Sequence, residues 1–357
     1  MIGIFRLVLA ILLGIVLLVA GGIIAVRLHR RARQRRRAAL AAGPRRSLLA
    51  FVADNGEEGA ADLIAIPEDA WRAALPAALS LLGKLRGEAH AALVSVFLHR
   101  GAARAALADL RARSSVRRAR AAQLLGDLEL RQAVPDLCRL LTDRDREVRV
   151  VAVRSLGRIG DASAAWRLIA SLDLHDPVPS LLATHTLVQL GADAEVTLSA
   201  ALDHPQARVR AVCLDALGLI GATGAATRMA RVLKDDDNLD VRVSAAAALG
   251  RLGARTAQLP LAAALDPSRP PALRAAAARA LGDLGSPTAV PALAAWLGDG
   301  DFHVAHEAAH SLRRLGPEGV AALSARRDAE PDTSAAAHCR EALALALVPQ
   351  TGMAVAR

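Results

Sequence analysis

Val241-Arg242-Val243-Ser244-Ala245-Ala246-Ala247-Ala248-Leu249-Gly250-Arg251-Leu252-Gly253 decides the fold, because its pattern recurs along the chain. A closing glycine stands at Gly160, Gly191, Gly221, Gly253, Gly285 and Gly316, at intervals of 31, 30, 32, 32 and 31 residues. Four residues before each comes a leucine: Leu156, Leu187, Leu217, Leu249, Leu281 and Leu312. Eight before it comes a small residue (Ala152, Ala183, Cys213, Ala245, Ala277, Ala308), and twelve before it Val148, Pro179, Val209, Val241, Leu273 and Val304. Offsets of four share one face of a 3.6-residue helix. The glycine supplies the left-handed conformation that ends that helix. A single apolar face cannot bury itself, whereas stacked copies bury one another. The expected fold is all-α, an α-solenoid of seven to eight helix pairs.

The second half of each copy reads as a partner helix. Val134-Pro135 opens one that carries Leu137, Leu140 and Leu141; Val290-Pro291 opens another with Leu293 and Leu297. Proline suits a first helical turn, where its missing N–H is not needed. Polar turns such as Thr142-Asp143-Arg144-Asp145 and Asp235-Asp236-Asp237-Asn238 separate the copies. In these residues, and in the matching run from Leu273 to Gly285, the chain resembles the HEAT-repeat family, specifically its short PBS-lyase HEAT-like class. An arginine after the first apolar position (Arg149, Arg210, Arg242, Arg274) is a family trait, and the resemblance implies a ladder of arginines between repeats. Ser180 and Ala305 take the arginine's place in two copies, where the ladder is expected to break.

Degenerate copies extend the array. Arg117 to Glu129 keeps Leu125 and Gly126 but has Glu129 where the closing glycine belongs, and Ala89 to Gly101 reads as a capping copy with Leu93 and Phe97. Divergence is expected at solenoid ends, which face water. The expected organisation is a stub at 1–6, a transmembrane helix at 7–26, a basic arm at 27–46 and a loop with a capping helix at 47–84. A repeat solenoid follows at 85–336, then a C-terminal capping helix at 337–348 and a tail at 349–357. Pro67-Glu68-Asp69 starts the first capping helix, with acids in its first turn and Trp71, Leu75, Leu79 and Leu82 on one side.

From Leu7 to Val26 there are 20 residues without charge or proline, enough to cross ~30 Å of hydrocarbon. Arg27, Arg30, Arg31, Arg33, Arg35, Arg36, Arg37, Arg45 and Arg46 follow, and only Arg6 precedes. Arginine marks the cytoplasmic flank, so the expected topology is N-out and C-in at the cell's inner (plasma) membrane, with Arg27 to Arg37 against anionic lipid headgroups. A cleaved signal peptide would carry its basic residues before a shorter apolar run. Ala10, Gly14, Gly21 and Ala25 share a face of the span and offer a surface for self-association. No acid occurs before Asp54, so Arg6 and the nine flanking arginines account for the whole net charge of +10. The chain beyond them is neutral and lacks the basic stripe that nucleic acid requires. Arginine outnumbers lysine 43 to 2 and alanine is abundant, which points to a GC-rich bacterial genome.

His306-Glu307-Ala308-Ala309-His310 matches the H-E-x-x-H pattern, in which two histidines one turn apart hold zinc and the glutamate activates a bound water. His303 lies one turn before, and Asp328, Glu330 and Asp332 follow as candidate third ligands. The repeat frame accounts for the same helix without metal, since Ala308 and Leu312 sit at core positions. Deoxyhypusine hydroxylase resembles the chain in fold and holds two irons with His-Glu pairs at this repeat position. The corresponding residues here are Val150-Val151, Leu181-Leu182, Ala211-Val212, Val243-Ser244 and Ala275-Ala276, none of them metal ligands. Cys138, Cys213 and Cys339 have no paired spacing and read as reduced structural thiols. Trp166 and Trp296 lie on second helices and read as core residues first, with binding anchors as the alternative. The resemblance implies a scaffold or adaptor, and the expected anchor directs it to a membrane-associated protein partner, with no catalytic residues and no cofactor. The alternative is a zinc hydrolase centred on His306, Glu307 and His310.

Overall fold

A computed structural model describes residues 39–54 and 59–346, together with Leu18, residues 21–24 and 27–29, and Arg31. No strand occurs among the described residues. Two compact units divide the chain after Ala108.

In the first unit, residues 39–53 are helical, so the expected basic arm at 27–46 ends inside a helix rather than before one. Helices Gly59–Ala65, Glu68–Leu82 and Gly87–His99 follow. Trp71 meets Phe97 edge-on with ring centroids 5.5 Å apart, and the Arg100 guanidinium lies 4.3 Å above the Trp71 ring. The same guanidinium donates to the carbonyls of Leu63, Ile64 and Ile66 at 2.7, 3.1 and 2.7 Å. These are carbonyls that the end of the Gly59–Ala65 helix leaves unpaired.

The second unit contains the repeats. Seven first helices run Ser115–Asp127, Arg146–Ile159, Ser180–Gln189, Ala207–Ile220, Leu239–Leu252, Pro271–Asp283 and Phe302–Arg314. Each is followed by a partner helix, from Val134–Leu140 to Pro317–Ala329, shorter in every repeat but the last, and Ser334–Ala346 ends the described chain. Leu125, Leu156, Leu187, Leu217, Leu249, Leu281 and Leu312 are all fully buried, one per repeat. Full burial of one such side chain is worth about 1.5–3 kcal/mol. Gly218 and Gly250 explain why the repeats pack so tightly: a Cβ on either would lie 2.9 or 2.8 Å from the Cα of Ala248 or Ala280 in the next repeat.

Gly160, Gly221 and Gly253 take the left-handed conformation expected of helix-ending glycines. At the degenerate position Glu129 does the same with φ 50°, the one described non-glycine residue with positive φ. Two expectations need correction. Pro179 is exposed and precedes the Ser180–Gln189 helix, while the buried Val178 fills the apolar place assigned to it, because the proline cannot continue a helix backwards. The C-terminal helix begins at Ser334 rather than 337.

Among the described residues no single helix is long and apolar enough to cross a membrane. The expected span at 7–26, with its small-residue face, lies largely outside the described residues, as do Arg30, Arg33, Arg35, Arg36 and Arg37.

Candidate functional site

The arginine ladder is present and has a defined partner. Arg118 holds Asp143 through two hydrogen bonds of 2.7 Å, and Arg210 holds Asp236 in the same way. Arg149 pairs with Asp176, and Arg274 with Asp299. Each aspartate belongs to the turn before the next repeat's first helix. Asp143, Asp236 and Asp299 also accept the backbone N–H two residues on, at 2.9, 2.9 and 2.8 Å. One carboxylate thus shapes a turn and joins two repeats. Burial alone would raise the Asp236 pKa, but the Arg210 hydrogen bonds hold it below the ordinary carboxylate value. Ser180 breaks the ladder as expected, and Arg208 reaches back to its hydroxyl at 3.1 Å.

A further break lies at Arg242, where the arginine is present and its partner is missing. Ser268 stands where the pattern calls for aspartate, and Arg269 follows it. The Arg242 Nε donates to the Leu233 carbonyl at 3.1 Å, and Asp236 and Asp235 act on the guanidinium through charge alone. Burial, and then the like charge of Arg269, lower its pKa against the weaker pull of Asp236 and Asp235. A cavity of about 430 Å³ opens here, lined by Arg231, Lys234, Arg242 and Arg269, with Asp235 as the only acid in its lining and apolar walls from Leu233, Pro260, Ala263 and Ala264. Both oxygens of nearby Asp236 are committed to Arg210. The cavity is therefore electropositive in a unit whose other ladder arginines are matched. A second, shallower hollow of about 370 Å³ between first helices is lined by Leu181, Val212 and Leu219 together with Arg208 and Arg251.

The H-E-x-x-H run divides between two faces of its helix. His306 and His310 lie side by side, ring centroids 4.2 Å apart, as the spacing requires. Glu307 turns the other way and pairs with Arg279 of the preceding repeat, with one contact of 3.1 Å. Burial alone would raise its pKa, but the Arg279 hydrogen bond and charge hold it below the usual value. The base that the hydrolase reading needs is committed elsewhere, so that reading is set aside. Asp328 and Glu330 pair with Arg327 and Arg326 and supply no third ligand. The carboxylate beside the histidines is Glu341, on the last helix.

HEAT repeats match residues 103–188, 194–269 and 258–344. The chain belongs to the HEAT-repeat family. Among curated proteins none matches the sequence. Among solved structures, Kap121p is similar at TM-score 0.52 and 13% identity, over 81% of this chain and 39% of that one. Kap95p gives TM-score 0.50 and 12% identity over 80% and 46%. The CpcE–CpcF phycocyanin lyase complex of Nostoc sp. PCC7120 is 24% identical over 62% of this chain and 92% of that one, at TM-score 0.33. At such identities the likeness is one of fold.

Other residues of this HEAT-repeat chain fall as follows. Cys213 is buried at its core position, and burial pushes its thiol up to about 12. Trp166 is a correction: it is 54% exposed, with the Arg167 guanidinium 3.9 Å above its ring, because the short Ala165–Ser171 helix points its Leu168 and Ile169 inward instead. Trp296 is half-buried.

Proposed function

We propose that this chain is a membrane-anchored HEAT-repeat scaffold whose repeats hold an acidic segment of a protein partner at the same membrane. The observation that carries the partner reading is the electropositive cavity at Arg242. Stacked repeats form a rigid frame, and the frame places Arg231, Lys234, Arg242 and Arg269 around one opening. Arginine left without its carboxylate offers a fork of donors that matches an incoming carboxylate. Protein binding by such frames has a precedent in Kap95p, which binds RanGDP.

The anchor rests on the sequence: an uncharged run of 20 residues followed by nine arginines. An anchored scaffold meets partners on its own membrane at raised effective concentration. Arg27 to Arg37 add attraction to anionic lipid, and the repeats lie on the cytoplasmic side.

Binding of a labelled oligoglutamate peptide, read by fluorescence anisotropy, tests the cavity. Affinity should fall as salt rises and be lost in Arg231→Glu/Lys234→Glu. Equal binding by the double variant, or no binding at low salt, refutes the cavity as the contact. Alkaline carbonate extraction tests the anchor: the full chain should stay with the membrane pellet, and its release would refute anchoring.

A further inference from the structure

His306 and His310 face Glu341 across the seam between the Phe302–Arg314 and Ser334–Ala346 helices. His306 Nδ1 lies 3.5 Å from Glu341 Oε2, and His310 Nε2 lies 3.8 Å from Oε1. One ligand atom from each of the three residues lies within 4.8 Å of the other two. Both nitrogens are buried, and neither has a hydrogen-bond partner. A buried polar atom left unpaired is costly. These gaps are too long for good hydrogen bonds. Bonds of about 2.0–2.2 Å in tetrahedral array put neighbouring ligand atoms on one ion about 3.3–3.6 Å apart; the His306 gap falls in that range, and the His310 gap reaches it with a small side-chain shift.

From this convergence we propose that His306, His310 and Glu341 form a site for one divalent transition ion, of zinc type, that clasps the last helix to the preceding repeat. Two imidazoles and a carboxylate are ligands that Zn²⁺ and Co²⁺ accept, with the remaining position left to water. Phe302 stacks on His306 at 5.5 Å and an interplanar angle of 17°, and the buried His338 ring lies 6.1 Å from it, which walls the site on that side. The ion would be structural. Glu307, the residue a hydrolytic site would use as base, faces Arg279. A clasp between residues 306 and 341 would tie the Ser334–Ala346 helix to the Phe302–Arg314 helix beside it.

The untagged full chain, stripped of metal in detergent and titrated with Co²⁺, tests the proposal. Tetrahedral Co²⁺ bands should saturate near one ion per chain and be displaced by Zn²⁺. Glu341→Gln, a half-exposed and conservative change, should weaken binding about tenfold or more. His306→Ala should abolish the bands. Glu307→Gln should leave them unchanged, provided circular dichroism shows native helix content in each variant. Saturation well below one ion, or Co²⁺ affinity indifferent to Glu341→Gln, would overturn the proposal. Loss of binding in a folded Glu307→Gln chain would do the same and restore the H-E-x-x-H reading.

Discussion

Replacing Gly250 by alanine should destabilise this protein, although the same change in most helices is favourable. Alanine in a helix interior is better than glycine by about 0.5–1 kcal/mol. Here the new Cβ would stand 2.8 Å from Ala280 Cα, 2.9 Å from its Cβ and 3.2 Å from its carbonyl oxygen. Carbon atoms prefer about 3.5–4.0 Å, and opening a gap of 0.5–1 Å forfeits a quarter to a half of each contact's dispersion well. The atoms that must give are backbone, so no flexible side chain absorbs the shift, and the seam beside the buried Leu249 and Leu281 would have to part. Overpacking of this kind costs about 1–3 kcal/mol; a backbone contact this short sits in the upper part of that range, which leaves a net loss of about 1–2.5 kcal/mol. Urea unfolding followed by circular dichroism measures the total. Hydrogen exchange in the Leu239–Leu252 helix separates local opening from global loss, which matters in an array whose units couple to neighbours. Gly43→Ala is the control: that helical glycine has nothing within 4 Å of an added Cβ, so its substitution should be neutral or stabilising. A Gly250→Ala chain as stable as the parent would refute the close-packing argument.

Glu129→Gly should stabilise by about 1 kcal/mol, since a non-glycine residue in the left-handed region costs about 1–2 kcal/mol; a higher urea midpoint checks it. Asp236→Ala should cost about 3–5 kcal/mol, because it leaves the Arg210 guanidinium largely buried without its carboxylate; thermal unfolding reads the loss. Acidification should loosen the C-terminal end before the ladder. Burial and His306 depress the pKa of His310 and of His338, so the unfolded chain binds more protons there. Stability is lost as pH falls below the unfolded histidine value of about 6.5, with His306, Glu307, Glu341 and Arg313 as the charged neighbours of His310. Depressed Asp143 and Asp236 carry stability that is present above the unfolded carboxylate value and fails only at much lower pH. Hydrogen exchange of residues 334–346 at pH 7 and pH 5 should show the difference, reduced in His310→Gln.

The repeat frame was legible because it is local and periodic: Leu156 to Leu312 and the closing glycines recur at fixed offsets, and all of those leucines are buried. Pro179 was misplaced because one residue of slip in an irregular turn moves a proline from a core register to a cap. The break at Arg242 is marked not by the arginine but by its partner: the aspartate six residues before the next repeat's arginine position is replaced by Ser268. Glu341 could not be chosen from spacing, since which carboxylate faces His306 depends on how the last helix docks. The fate of Glu307 was likewise set by Arg279, 28 residues earlier, at a position no motif marks.

A photo-crosslinking residue placed at Thr227, an exposed position lining the Arg242 cavity, tests the central claim in native membranes. The account predicts a discrete adduct with a membrane protein, joined through an acidic peptide by mass spectrometry and lost in Arg231→Glu/Lys234→Glu. No adduct, or one that survives the charge reversal, would contradict it.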